Sequence, residues 1–393
     1  MAALTETPAR VLIVHNAYQQ RGGEDAVVES ETALLQRYGH AVAHLGRHND
    51  EIGAIGRLAL ARETLWSSRT VHEVERQVAD FRPDVIHVHN AFPLISPSVY
   101  WAAARMRVPV VQTLHNFRLL CPQALLLRDG RVCEDCVGHV PWRAVRHRCY
   151  RGSAAQSLAV AGMVQLHRAI GTWRDKVTLY IALNEFCRRK FVAGGLPAER
   201  LRVKPNFVDL PAPAEQPRDG FLFVGRLSAE KGVQVLADSL RLTPQPLTVA
   251  GSGPESAALS ATPGVTMLGA LAPEQVYAQM ARALALVLPS IWYENFPRTL
   301  VEAFANGLPV IASRLGAMAT LIVPGRTGLV FEPGDSADLA RQLAWARAHP
   351  DEMRQMGIEA RRHYENELTG EANYRQLSVI YAEAIRGVRT NEM

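Results

Sequence analysis

The sequence predicts an α/β chain built as two doubly wound, Rossmann-like parallel-sheet domains facing a central cleft. Three observations lead there. Short apolar runs alternate with amphipathic segments along the chain, as in strands joined by crossover helices. The alternation is divided once, by the Pro-rich polar stretch DLPAPAEQPRDG at 209–220, whose composition is that of a linker. The chain has 393 residues, 48% hydrophobic and 21% charged, enough to fill more than one core. That composition excludes a disordered, collagen-like or coiled-coil protein.

In the first series the strand-like runs are RVLIV (10–14), AVAHL (41–45), DVIHVH (84–89), VPVVQTL (108–114) and VTLYIAL (177–183). Between the first two, Glu24 to Tyr38 has apolar residues at helical spacing and stops at Gly39. The second series is GFLFVG (220–225), PLTVAG (246–251), VTMLG (265–269), ALVLPS (285–290) and LPVIAS (308–313). Helical stretches at 230–242, 273–283, 298–306 and 335–347 separate these strands. The expected domains are therefore 1–208, with a Cys-rich insertion at 118–152, and 221–370, joined by 209–220. Residues 371–393 form a closing helix expected to pack back on the first domain.

Such sheets bind ligands beyond the carboxyl ends of their strands, so the turns after strands carry the chemistry. The turn after GFLFVG reads GRLSAEKG (225–232), where Arg226 and Lys231 are placed to neutralise a diphosphate. The turn AGSGPE (250–255) follows the next strand, and Gly251 lets backbone approach a nucleotide closely. In SIWYENFPRTLVEAFANGLPVIAS, seven residues separate Glu294 from Glu302, and Pro297 stands where a helix begins. Amides around Phe296 to Leu300 then open a helix N-terminus, which favours a phosphate. Glu294 can accept from sugar hydroxyls, and Glu302 from the two hydroxyls of a ribose.

Together these segments resemble the family 4 retaining glycosyltransferases of GT-B fold, of bacterial type. GRLSAEKG, GSGPE, ENFPRTLVEAFANGLPVIAS and GRTGLVF (325–331) carry the likeness, with VHNAYQQRGGEDAVVE and LHNFRLLCP in the first half. It runs from about Val11 to Tyr381. The resemblance implies that Arg226 and Lys231 hold the donor diphosphate, Glu294 the donor sugar and Glu302 the nucleotide ribose. Backbone near Asn295, Phe296 and Pro297 would touch sugar and phosphate. His115-Asn116 stands where many relatives show His-Asp. The implied donor is a UDP- or GDP-hexose or N-acetylhexosamine. The implied acceptor is a glycan or lipid-linked glycan in bacterial surface polysaccharide assembly.

Transfer requires stabilisation of a departing nucleoside diphosphate, here by Arg226, Lys231, the helix N-terminus and the backbone of Gly22 and Gly23. His115, at the end of VPVVQTL, is placed to contact the sugar or phosphate; the bland alternative is a hydrogen-bonded histidine at a strand end. No motif supplies a carboxylate nucleophile besides Glu294, which favours front-face attack with the leaving phosphate taking the acceptor proton. No catalytic metal is required, since fixed cations do that work and no Asp-x-Asp occurs. Two other classes compete: an inactive nucleotide-sugar-binding partner subunit, and a nucleotide-sugar epimerase or dehydrogenase. A dehydrogenase wants G-x-G-x-x-G after the first strand, and HNAYQQRGGED lacks it.

Residues 1–205 hold 27 Lys and Arg against 18 Asp and Glu, and the remainder 16 against 20. A basic half beside an acidic one suits different partners for the two domains. The stretch VPWRAVRHRCYRG (140–152) interleaves four arginines with Trp142 and Tyr150. It fits an anionic membrane surface and a solvated rim of the acceptor groove equally well. Cys121, Cys133, Cys136 and Cys149 have the spacing C-x11-C-x2-C-x12-C, which fits a structural zinc or buried free thiols. A nucleic-acid module is disfavoured, because the insertion lies within a larger domain. No apolar run reaches bilayer-spanning length, and MAALTETPARVLIV lacks the features of a secretory signal. A cytoplasmic protein is expected, with peripheral contact at the inner face of the cell membrane left open by the basic stretch.

Overall fold

A computed structural model describes residues 8–213 and 216–389. Residues 1–7, 214–215 and 390–393 lie outside it, and with them part of the expected linker, the N-terminal segment and the end of the closing helix. The chain divides into two compact units. One comprises Met1–Leu125, Glu134–Pro205 and Asn373–Met393; the other comprises Leu126–Cys133 and Asn206–Ala372.

The first unit holds a six-stranded sheet of β1 (Arg10–Ala17), β2 (Ala41–His48), β3 (Val85–Asn90) and β4 (Val110–Leu114), then β7 (Leu179–Ala182) and β8 (Leu201–Val203). Between β4 and β7 in sequence lies a short antiparallel hairpin, β5 (Leu127–Arg128) and β6 (Arg131–Val132). The spatial order is β2-β1-β3-β4-β7-β8, and every pairing is parallel. Central strands covered on both faces read as continuous apolar runs, and β3, β4 and β7 are buried throughout. The edge strand β2 is largely exposed. Its core joins Val11 and Ile13 of β1 to Val28 and Leu35 of the helix Gly23–Arg37. The last helix, Gly370–Arg389, adds Leu377, Ile380, Tyr381 and Ala384 to that same core.

The second unit repeats the plan with β9 (Phe221–Val224), β10 (Leu247–Ala250), β11 (Val265–Gly269), β12 (Ala285–Leu288), β13 (Val310–Ser313) and β14 (Gly328–Phe331). Their order is β11-β10-β9-β12-β13-β14, again all parallel. Phe221, Phe223, Leu236, Val249, Val287 and Ile311 are among its core residues. Four strands escaped the sequence reading, β5, β6, β8 and β14. Two or three residues, as in β5, β6 and β8, are too few to display a period.

Leu377 is fully buried in the first core. Leu377→Ala should cost about 2–5 kcal/mol, read as a lower urea midpoint with unchanged slope. A loss within roughly 0.5 kcal/mol would detach the last helix from that core.

Candidate active site

In the second unit the strand order reverses at β9, which has β10 on one side and β12 on the other. Crossovers leaving in opposite directions open a crevice at such a point, and the turns after β9 and β12 meet there. The turn after β9 carries Arg226 and a short 3-10 segment, Ala229–Lys231, ended by Gly232 at φ +70°. A Cβ on Gly232 would stand 1.8 Å from the Pro289 carbonyl oxygen, so only glycine lets this turn close on the turn after β12. Ile291 donates to the Glu230 carbonyl at 3.0 Å and ties the same two turns together.

This geometry sets Lys231 Nζ 2.6 Å from Glu294 Oε1. The same oxygen accepts from Ser290 Oγ at 2.8 Å and Trp292 Nε1 at 3.1 Å, and Glu294 is buried. Arg226 pairs with Glu230 and donates to Ser228 at 3.2 Å, with two thirds of its side chain exposed. The helix Arg298–Ala305 begins after Pro297, and Leu300 turns its N–H back to the Pro297 carbonyl at 3.0 Å. Phe296 and Pro297 are buried ahead of it and Asn295 is half-buried. Glu302, on that helix, accepts from Arg298 Nε at 2.9 Å, with the Tyr277 hydroxyl at 3.5 Å. The structure thus brings Lys231 to Glu294, links Arg226 to them through Glu230, and gives Glu302 partners of its own. Gly251 has a local reason for being glycine. Its Cβ would lie 1.9 Å from the Gly225 carbonyl oxygen, where the turns after β9 and β10 meet.

The first unit reverses its strand order at β1, between β2 and β3. Period-two alternation turns His87 and His89 of the buried β3 to one side. His87 Nδ1 lies 2.7 Å from the Tyr381 hydroxyl and its Nε2 2.8 Å from the Thr113 hydroxyl. His89 Nδ1 lies 2.9 Å from His115 Nε2. Beneath them Glu31 and Lys204, both without solvent exposure, form an ion pair, and Lys204 also reaches Asn373 at 3.2 Å. Burial alone would raise the Glu31 carboxyl, but the Lys204 ammonium and His89 hold it below the ordinary range. Burial, reinforced by Lys204, keeps His87 well below its usual value. Burial pushes His115 down to about 3. Glu31, His87 and His89 bring ligand-type atoms within 4.8 Å of one another, the one such group among the described residues.

His115 lines a cavity of about 50 Å³ with Phe92, Asn116 and Arg118. A larger opening of about 680 Å³ lies beside the end of β1, lined among others by His15, Tyr18, Arg21, Asp25 and His44. Gly22 gives its N–H to Asp25 Oδ2 at 2.7 Å, so the protein's own carboxylate occupies the amide expected to face a phosphate. Gly23 opens the helix, and space surrounds its Cβ position.

No disulfide joins any of the five cysteines among the described residues. Cys121, Cys136 and Cys149 share one unit without forming a ligand group, and Cys133 belongs to the other unit. The backbones of Cys121, Cys133 and Cys149 close three separate local bonds, to Phe117, Leu126 and Ala144. Burial pushes the fifth thiol, Cys187, up to about 12 and makes it inert. Sequence reasoning missed Ser290, Trp292, Arg298, Tyr277, Glu31, His89 and Lys204. The one available signal was the His-x-His of a buried strand whose other residues before Asn90 are apolar.

Residues 14–211 match the family described as Glycosyltransferase Family 4, and residues 212–363 the one described as Glycosyl transferases group 1. The chain is 34% identical over 165 residues to D-rhamnosyltransferase WbpZ of Pseudomonas aeruginosa, covering 40% of this chain and 41% of that one. The match thus spans less than half of that relative's length. It is 32% identical to the phosphatidyl-myo-inositol mannosyltransferase of Mycobacterium leprae, over 77% of this chain and 75% of that one. In fold it is similar to Anabaena Alr3699/HepE, solved in complex with UDP, with a TM-score of 0.65 at 18% identity, covering 95% of this chain and all of that one.

Burial raises the Glu302 carboxyl above its ordinary range, against the pull of Arg298 and Tyr277. A raised acid holds its proton more tightly folded than unfolded. The stability this adds is complete below the ordinary carboxylate range and is lost as pH rises through the raised value. Glu302→Gln has no such proton to lose. The wild type should therefore lose stability relative to this variant as pH rises above the ordinary carboxylate range, about 4. Urea midpoints below and above that range check it, and a constant difference would contradict the assignment.

Proposed function

This chain belongs to glycosyltransferase family 4, and from that premise we propose a retaining enzyme that moves a sugar from a nucleotide-sugar donor to a glycan or lipid-linked acceptor. The chain is a glycosyltransferase of GT-B type. The observation that carries the finer reading is the meeting of Lys231 and Glu294 at the strand-order reversal, with Arg226 exposed beside them. A diphosphate approaching the end of β9 gains both cations, and Lys231 can serve it without leaving Glu294. Glu294 then keeps its orientation for sugar hydroxyls. Glu302, held by Arg298, is suited to accept from the ribose. The HepE crystals with UDP and with UDP-glucose support a nucleotide-sugar donor. The rhamnosyl and mannosyl relatives are consistent with a hexose or deoxyhexose.

Retention by a covalent intermediate would need a free carboxylate. Glu294 Oε1 is engaged by three donors within 3.1 Å, which lowers its power as a nucleophile. That supports front-face departure and attack, with the leaving phosphate accepting the acceptor's proton. Each of Arg226→Ala and Lys231→Ala should lower kcat and kcat/KM together by about a hundredfold to a thousandfold, roughly 2.7–4 kcal/mol. Glu302→Ala should mainly raise the donor KM, by about 1.5–3 kcal/mol. Incubation with UDP- and GDP-sugars, followed by release of nucleoside diphosphate and the anomeric proton coupling of the product, tests the activity and its stereochemistry. No release from any donor would favour a partner subunit that only binds, and product of inverted configuration would overturn retention.

A second surface bears on the acceptor. Between Asp135 and Asp175 the chain contains no acidic residue, while Arg143, Arg146, Arg148, Arg151, Arg168 and Arg174 lie within it. Val140, Trp142 and Leu158 are more than half exposed there. Arg143 pairs with Asp135 at 3.4 Å, whereas Arg146 and Arg148 have no carboxylate partner among the described residues. Unpaired cations beside an exposed indole suit an anionic bilayer, at about 1 kcal/mol per arginine. The protein should sediment with phosphatidylglycerol vesicles and not with phosphatidylcholine vesicles. The double variant Arg146→Ala, Arg148→Ala should weaken that binding by about 2 kcal/mol. Equal binding to both vesicle types would remove the membrane from this reading.

A further inference from the structure

Glu31 gives one carboxylate oxygen, Oε1, to Lys204, while Oε2 is buried without a hydrogen-bond partner. Two imidazole nitrogens stand near Oε2: His87 Nδ1 at 3.8 Å and His89 Nε2 at 3.6 Å. Both nitrogens of His87 are already engaged, by Tyr381 and Thr113. His89 Nε2 is buried and unpartnered, as Glu31 Oε2 is. A carboxylate oxygen only accepts. A bare nitrogen lone pair 3.6 Å from it would be repelled, whereas an N–H would be attracted to it. The proton of His89 therefore belongs on Nε2.

The rest follows from counting protons. Burial, with His87 adjacent, keeps His89 neutral, so it has one N–H and its Nδ1 is bare. At 2.9 Å that bare Nδ1 must receive the hydrogen of His115 Nε2. His115 is neutral too, because burial outweighs the pull of Glu31, with His15 and Lys204 adding to the effect. Its single proton is spent on His89, which leaves His115 Nδ1 an acceptor.

We propose that Glu31 and His89 are positioning residues that fix His115 as the Nε2–H tautomer, so that the ring offers its ligand a lone pair at Nδ1. The proposal rests on the reading of His115 as a residue at the sugar. It decides what His115 can hold there: the O–H of a sugar hydroxyl, and not a phosphate oxygen, which has only lone pairs to present.

Histidine labelled with nitrogen-15 and read by long-range proton–nitrogen correlation in the ligand-free protein reports each tautomer directly. His89 and His115 should both show a protonated Nε2 and a bare Nδ1 at neutral pH. A proton on Nδ1 of His115, or on both its nitrogens, overturns the relay whatever reaction the protein catalyses. Glu31→Gln preserves shape but presents an N–H to His89 Nε2, so both rings should switch to the Nδ1–H form. In that variant kcat should fall at least tenfold, while UDP or GDP, whichever raises the wild-type melting temperature, should raise it equally. A folded Glu31→Gln protein with unswitched rings also overturns the relay. Switched rings with unchanged kcat would overturn instead the placement of His115 at the sugar. If Glu31→Gln fails to fold, because Lys204 has lost its charge partner, the wild-type spectrum still decides.

Discussion

An ammonium and a carboxylate with no solvent on either side, Lys204 and Glu31, are the constraint on which the first unit depends. Glu31 comes from the helix after β1, Lys204 from the segment after β8, and Asn373, which also holds Lys204, from the last helix. Asn373 in turn donates to the Pro205 carbonyl at 2.7 Å. Three segments remote in sequence thereby meet at one charge. Such a pair is a poor source of net stability, since desolvation consumes most of its attraction, yet removing one partner costs about 3–5 kcal/mol. Its value lies in what it imposes on its neighbours. The lysine's field helps keep His87 and His115 uncharged, and the free carboxylate oxygen dictates where the proton of His89 sits.

The second unit contains a lysine–glutamate pair of different character. Lys231 and Glu294 keep about a quarter and a tenth of their side chains exposed, and the lysine sits over the Trp292 ring at 5.5 Å. Ser290 and Trp292 retain Glu294 even when the ammonium is drawn elsewhere, so this lysine can be shared with an incoming anion. A fully buried pair cannot be shared in that way. The close approach at Gly232 limits which residues can stand beside Lys231, and so fixes where its stem begins.

Much of this was legible in the sequence, and the losses have physical causes. Ten of the strands appear as apolar runs, the central ones because a parallel sheet covered on both faces needs them. β5, β6 and β8 do not, being too short to show a period, and β14 was read only as part of the segment GRTGLVF. Arg226, Lys231, Glu294 and Glu302 were readable because they follow strands or open a helix at fixed offsets. Ser290 and Trp292 were not, since nothing in a single sequence tells which neighbour of a glutamate turns toward it. Glu31 was least visible of all: it lies mid-helix among other polar residues, and its burial is decided by a helix more than 300 residues away. The spacing of Cys121, Cys133, Cys136 and Cys149 left a structural zinc and buried thiols equally open, because spacing alone does not fix where side chains point.

The two units share one sheet plan, reversing strand order beside their first strands, and differ in the chemistry at that reversal. At the second stand Arg226 and Lys231, cations within reach of a phosphate. At the first stand His15, His89 and His115, with Asn16 and Asn90 on the ends of β1 and β3. Burial keeps His89 and His115 uncharged. Neutral donors and acceptors suit hydroxyl-rich ligands, whose recognition turns on which atom gives the hydrogen and which receives it. Fixed cations suit a leaving group whose charge grows during the reaction. A sugar transfer poses both problems at once. A fold that duplicates a parallel sheet can answer them separately, because the turns after each set of strands vary without disturbing the core beneath.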